Sequence, residues 1–449
     1  MILNKMKIKF VLIHVLLVII LFFWEIGLSL SDRGTRSSDI KSSITANDFA
    51  NNSSANPEFE KMDEIISTFQ KKWGIMGLSA AVTKDGRLVY AKGFGYADER
   101  NGELVDANNQ FRLASVSKLV TAIAIMQLNE NEKFRLDDPV FGSDGILNDS
   151  IYMNYSDPRI EKITVRHLLT HTAGWSKRSG DPMFQPHLVA RKMKTSLPVT
   201  NETTIQYVLN KKLNFEPGSR YSYSNVGYVI LGKVIEKVSK MSYEDYVKLN
   251  ILYPLGIYDM QLGNSFYEEK ADNEVTYYES RTYGKVLAYN SNRNYVSSIY
   301  GGNDIKSLGA AGGWISSPAG LLRLVTAIDG FKSKPDLLQQ ESIHIMTSKD
   351  ESDGQVIGWK GSDSYGTWWR TGTLSGMSVL VVRQKNGINW IIAMNSTTVR
   401  KSHIHSETFR MMSRALTGVN SWPKYDLFIN PLETMEENNI NMLTDNLPR

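Results

Sequence analysis

The stretch Phe111-Arg112-Leu113-Ala114-Ser115-Val116-Ser117-Lys118 runs into Leu119, Ile123 and Met126. Their spacing predicts a helix over 115–128. A serine hydroxyl is a poor nucleophile until a neighbouring base takes its proton. Residues i and i+3 share one face of a helix, so Lys118 can reach Ser115. A lysine acts as base only when neutral, a state favoured by burial and by nearby positive charge. The helix N-terminus also turns backbone N–H groups toward developing negative charge. Taken alone, Ser-x-x-Lys more often marks an ordinary surface helix start. Two other copies exist: Ser38–Lys41 falls in a polar stretch and Ser421–Lys424 contains Pro423, so neither suits a rigid catalytic helix.

Outward from this point the chain organises itself. Phe59, Met62, Ile66, Phe69 and Trp73 predict one amphipathic helix after Pro57. Leu78–Thr83 and Leu88–Tyr96 read as strands joined by the turn Lys84-Asp85-Gly86-Arg87. From 115 to about 325 the pattern is mostly helix and loop, with a second helix over 226–239 and a Tyr- and Asn-rich run of loops over 277–300. Strands return at Met377–Arg383 and Ile388–Asn395, around Gln384-Lys385-Asn386-Gly387, and a last helix spans about 403–416. With strands at both ends and helices between, the expected fold class is α+β. One antiparallel sheet is built from both termini and flanked by helices, with an inserted helical lobe over about 115–325 and a cleft between sheet and lobe.

Two more constellations carry chemistry. Tyr223-Ser224-Asn225 follows Pro217-Gly218-Ser219-Arg220-Tyr221-Ser222. A tyrosine near cations becomes phenolate or relays a proton, and an asparagine donates to a substrate carbonyl while accepting from a lysine. The plain alternative is a turn before a helix. Arg370-Thr371-Gly372-Thr373 lies on a strand-like segment before the Asn-Gly hairpin. There a backbone amide after glycine offers half of an oxyanion hole, and Arg370 could hold a substrate carboxylate. The plain alternative is an edge strand with an exposed arginine.

In this order the motifs resemble the serine β-lactamase and penicillin-binding-protein superfamily, most closely the class C β-lactamase-related serine hydrolases. Three other stretches carry the likeness: Gly77 to Gly86, Leu168-Leu169-Thr170-His171-Thr172-Ala173-Gly174-Trp175, and Ala311-Gly312-Gly313-Trp314-Ile315-Ser316-Ser317-Pro318. It covers about 58–427. The resemblance implies a β-lactamase/transpeptidase-like fold with Ser115 as acylated nucleophile and Lys118 as its base. Tyr223 would shuttle the proton and Asn225 would contact the substrate amide or ester. The backbone N–H groups of Ser115 and Thr373 would form the oxyanion hole, with Arg370, Thr371 and Gly372 lining the substrate side. Arg370 departs from the family's usual lysine; it keeps the charge and adds a bidentate fork, while placing efficient β-lactam hydrolysis in doubt.

Other features read as structural. His167 and His171 are four apart, but Leu-Leu-Thr between them lacks the glutamate of a zinc-peptidase helix, so no metal or other cofactor is expected. His171 would position the turn at Gly174. No Gly-x-Ser-x-Gly elbow occurs. The chain has 51 Lys+Arg against 47 Asp+Glu and no cysteine, which leaves no electrostatic case for nucleic acid and no thiol chemistry or lipidated cysteine. Lys5, Lys7 and Lys9 precede an apolar run from Phe10 to Trp24, with small residues at Ser29 and Ser31. Residues 1–31 therefore read as a cleaved signal peptide or a retained membrane anchor, which makes the protein exported, periplasmic or extracellular. Residues 32–56 read as a flexible linker, 57–428 as the catalytic domain and 429–449 as a polar tail. The expected partner is a small-molecule or peptide substrate. The expected function is amide or ester hydrolysis through an acyl-Ser115 intermediate, acting on a D-alanyl peptide, a small ester or, weakly, a β-lactam. The rival is a non-catalytic envelope sensor or scaffold on the same fold.

Overall fold

The computed structural model describes residues 56–279, 284–349, 354–397 and 403–429. The segments expected to be leader, linker and tail lie outside these, apart from Asn56 and Ile429. Helix α1 (Glu60–Trp73) starts after Pro57 and ends at Gly74, whose left-handed φ of 59° closes the C-terminus. Strands β1 (Gly77–Lys84) and β2 (Arg87–Asp98) meet at Asp85-Gly86, both at positive φ, the geometry a tight twisted hairpin demands. Short β3 (Glu103–Leu104) follows. The C-terminal part supplies β4 (Gly361–Ser362), β5 (Trp368–Leu374), β6 (Met377–Arg383) and β7 (Ile388–Met394).

Together they form one seven-stranded antiparallel sheet in the order β3-β2-β1-β7-β6-β5-β4. Its two halves join where β1 pairs with β7, from Leu78 opposite Met394 to Lys84 opposite Ile388. This is the α+β sheet from both termini that the sequence predicts.

Period-two alternation assigns the faces. Leu78, Ala80, Val82, Leu380, Val382, Trp390 and Ile392 turn outward into a core with α1 and α6 (Ile404–Thr417). Ala81, Val379, Val381, Ile391 and Ala393 turn inward. Each large side chain buried this way contributes about 1.5–3 kcal/mol. The inner face is covered by α5 (Pro318–Thr326), which packs on β1, β2 and β7.

The helical lobe centres on α2 (Ser117–Glu130), packed against α3 (Asn225–Ser239) and α4 (Ile305–Gly312). α2 is buried on every side from Ser117 to Met126, as a helix without a polar face must be. Three short strands, Phe111–Arg112, Trp314–Ser316 and Gln261–Leu262, deliver the chain to its start. The Tyr-rich run is more than loop: Val286–Leu287 pairs with Tyr295–Val296 in a small ribbon.

Candidate active site

Ser115 sits in a 3-10 turn at the head of α2, directly after Ala114, whose φ is +46°. A non-glycine residue there stores strain, which a packed surrounding must hold in place. The holding backbone is β5. A Cβ on Gly372 would come within 2.1 Å of Leu113 O, so only glycine lets the strand press this close to the turn. Lys360 N–H donates to Trp369 O at 2.9 Å, on the side away from β6. In an antiparallel strand, alternate residues point their N–H and C=O groups to the same side. The N–H of Thr373 therefore faces the open edge of β5, beside the serine turn.

Two side chains reach the Ser115 hydroxyl. Tyr223 Oη donates to Ser115 Oγ at 2.5 Å, and Lys118 Nζ lies 3.4 Å from the same oxygen. Lys118 is fully buried and donates to Asn225 Oδ1 at 2.7 Å and to Ala311 O at 2.5 Å. Burial, helped by the Arg370 charge, lowers its pKa to about 8. Burial alone would raise Tyr223, but the charges of Lys118 and Arg370 outweigh it and bring the phenol down to about 8. The pair is poised to exchange one proton near neutral pH.

Tyr223 and Asn225 owe their positions to the Leu168–Trp175 turn. His171, itself at φ +62°, stacks its ring 4.4 Å from that of Tyr223. It accepts from Ser224 N–H through Nδ1 at 3.2 Å, and its carbonyl accepts from Ser222 N–H at 2.8 Å. Burial and the nearby Lys118, Arg370 and Lys177 hold the imidazole neutral, well below its usual pKa. His171 is a brace for the tyrosine.

The beta-lactamase family model matches residues 62–410. The chain belongs to the beta-lactamase family. It is 32% identical over 205 residues to penicillin-binding protein 4* of Bacillus subtilis (strain 168), an overlap of 45% of this chain and 41% of that one. The chain thus spans about two fifths of the length of the curated relatives it matches. Among solved structures, the octameric penicillin-binding protein homologue from Pyrococcus abyssi superposes with a TM-score of 0.59 at 28% identity, covering 80% of this chain and 76% of that one. D-amino acid amidase from Ochrobactrum anthropi SV3 shares the fold with a TM-score of 0.63 at 20% identity, covering 81% and 99%.

Within this beta-lactamase-family site, two expected substrate contacts are placed differently. Arg370 is 3% exposed and occupied: Nε–H donates to Ser115 O at 2.8 Å and Nη1 to Trp359 O at 3.2 Å, while Nη2 lies 3.5 Å from Tyr223 Oη. In this structure it is a buried cation that ties β5 to the serine turn. Thr371 points its side chain to the outer face, into a groove with Trp369, His405 and Phe409, because strand alternation sets it opposite to Arg370 and Gly372. Thr373 has an exposed side chain and contributes through its backbone.

One participant escaped the sequence reading. Asp181 Oδ2 accepts from Asn225 Nδ2 at 2.7 Å, which fixes the amide so that its oxygen faces Lys118. A lone aspartate in a loop, 44 residues from its partner, gives no local pattern to read.

Proposed function

We infer that this chain is an exported serine hydrolase that cleaves amides or esters through an acyl-Ser115 intermediate. The observation that carries this is the contact triangle Ser115–Tyr223–Lys118, with its lysine buried and its two proton carriers brought to similar pKa values of about 8. Ser115 Oγ–H passes its proton to the Tyr223–Lys118 pair as Oγ bonds to the substrate carbonyl carbon. The carbonyl oxygen becomes an oxyanion beside the N–H groups of Ser115 and Thr373; losing one such donor typically costs ~10²–10³ in rate. Tyr223 then gives the proton to the leaving nitrogen or oxygen as its bond to the carbonyl carbon breaks. Water takes the place of the leaving group and bonds to the acyl carbon as it gives a proton to the same pair; the carbon–Oγ bond then breaks, the pair returns the proton to Ser115 Oγ, and the acid leaves. Arg370 sustains the step at a distance, by keeping both proton carriers low.

Export rests on the charged-then-apolar character of residues 1–31. No helix among the described residues is long and apolar enough to cross a membrane. The penicillin-binding name of the B. subtilis relative makes a penicillin a suitable acylating probe. The test is intact mass spectrometry of the protein after a fluorophosphonate or a fluorescent penicillin, with peptide mapping. Adduct on Ser115, absent in Ser115→Ala, is the expected result. Folded protein labelled elsewhere, or hydrolysing esters equally well without Ser115, would overturn the assignment, and folded protein with neither label nor turnover would favour the scaffold reading.

A further inference from the structure

Arg370 is buried and turns its nitrogens to Ser115 O, Trp359 O and Tyr223 Oη, which directs attention to the other cations near the site. A cavity of about 110 Å³ adjoins the site, walled by Trp175, Lys177, Asp181, Lys211, Lys212 and Tyr223. Tyr223 is therefore shared between the cavity and Ser115. Three lysines and one carboxylate line it, and that carboxylate is used internally. Asp181 Oδ1 accepts from Met183 N–H at 3.1 Å and Oδ2 from Asn225 at 2.7 Å.

The lysines are not so used. Among the described residues none of the three forms an ion pair with a carboxylate. Lys177 Nζ rests 4.2 Å from the Tyr223 ring centroid, and Lys211 Nζ 3.8 Å from that of Tyr207. Aromatic faces thus hold two of the cations in place without neutralising them.

We propose that this cavity is a subsite for a carboxylate carried on the leaving group of the substrate, received by Lys177, Lys211 and Lys212. It rests on the acyl-serine reading above, in which Tyr223 hands its proton to the leaving atom. A leaving group in contact with Tyr223 Oη extends naturally along that ring into the cavity. The assignment moves anion recognition from β5 to the Trp175–Lys177 and Lys211–Lys212 segments of the lobe.

The test compares two esters with one acyl group, phenyl acetate and 3-carboxyphenyl acetate, on the full chain. The wild type is expected to favour the carboxylated ester by about 10-fold or more in kcat/KM, chiefly through KM, with the preference shrinking in high salt. Lys211→Ala/Lys212→Ala and, separately, Lys177→Ala should each cut that preference several-fold. A preference equal in wild type and lysine variants, or one abolished only by Arg370→Ala, would overturn the subsite while phenyl acetate turnover leaves the hydrolase reading standing. Failure of both esters together with absence of label on Ser115 would overturn the hydrolase reading, and the subsite with it.

Discussion

Among the described residues, two part-buried contacts join a serine to a basic side chain. One is Ser115 with Tyr223 and Lys118; the other is Ser378 on β6, whose Oγ lies 2.9 Å from His405 Nε2 on α6. By distance alone the two are equally capable. Ser378, however, is 3% exposed on the flat outer face of a central strand, where its backbone amide belongs to the sheet. Ser115 is half-exposed at a strained turn, next to a helix start and an open strand edge that offer donors to an oxyanion. A base at hydrogen-bond distance is common; a serine with room for a carbonyl and amides aimed at its oxygen is what separates the two.

Removing each serine in turn is the sharpest way to break this contrast. Ser115→Ala should lower ester kcat/KM by at least about 10³-fold, while Ser378→Ala stays within about twofold of wild type. Comparable losses in both would sink the comparison.

Next in size is Arg370→Ala. Activity in the wild type should climb as pH rises through about 8, because the Lys118–Tyr223 pair must give up a proton to act as base. Deleting the Arg370 charge raises both groups, so the rising limb should move to higher pH, with about a tenfold loss at pH 7. An unmoved limb would show that Arg370 serves only to pin Ser115 O.

How much of this was open to the sequence follows from particular residues. Both hairpins announced themselves because Gly86 and Gly387 sit at positive φ in turns only a few residues long. Ser115 and Lys118 were legible because one helical turn brings them together. Arg370 was legible as a cation, but its partners Ser115 and Trp359 meet it only through packing, one of them across 255 residues. Thr371 was misplaced although alternation with Arg370 and Gly372 already set it on the opposite face. Asp181 had no pattern at all.

Asp181→Asn tests that blind spot. The Asn225 amide would lose its fixed acceptor, so a loss of about tenfold in kcat with KM little changed is expected. Full activity would make the contact incidental.

The smallest effect on catalysis should come from His405→Gln, whose readout is stability. Burial and the nearby Lys360 lower His405 to about 4, below the 6.5 of a free imidazole. The unfolded chain then binds the proton more readily than the folded one. Stability is complete above about pH 6.5 and is lost as pH falls toward 4, by on the order of 3 kcal/mol. Chemical denaturation at pH 7 and pH 4.5 should show this acid loss flattened in the variant. An identical loss would assign acid sensitivity elsewhere.

The seam between β1 and β7 also dictates when the protein can become itself. Gly77 N–H is held by Asn395 Oδ1, 318 positions away, so the β1 edge of the first hairpin has no partner strand until nearly the whole domain has been synthesised. Closing so long a loop is entropically slow, and sheets of such high contact order fold late. A nascent chain of this design stays unfinished through most of its translation, the condition in which a polypeptide can still be threaded through a narrow channel.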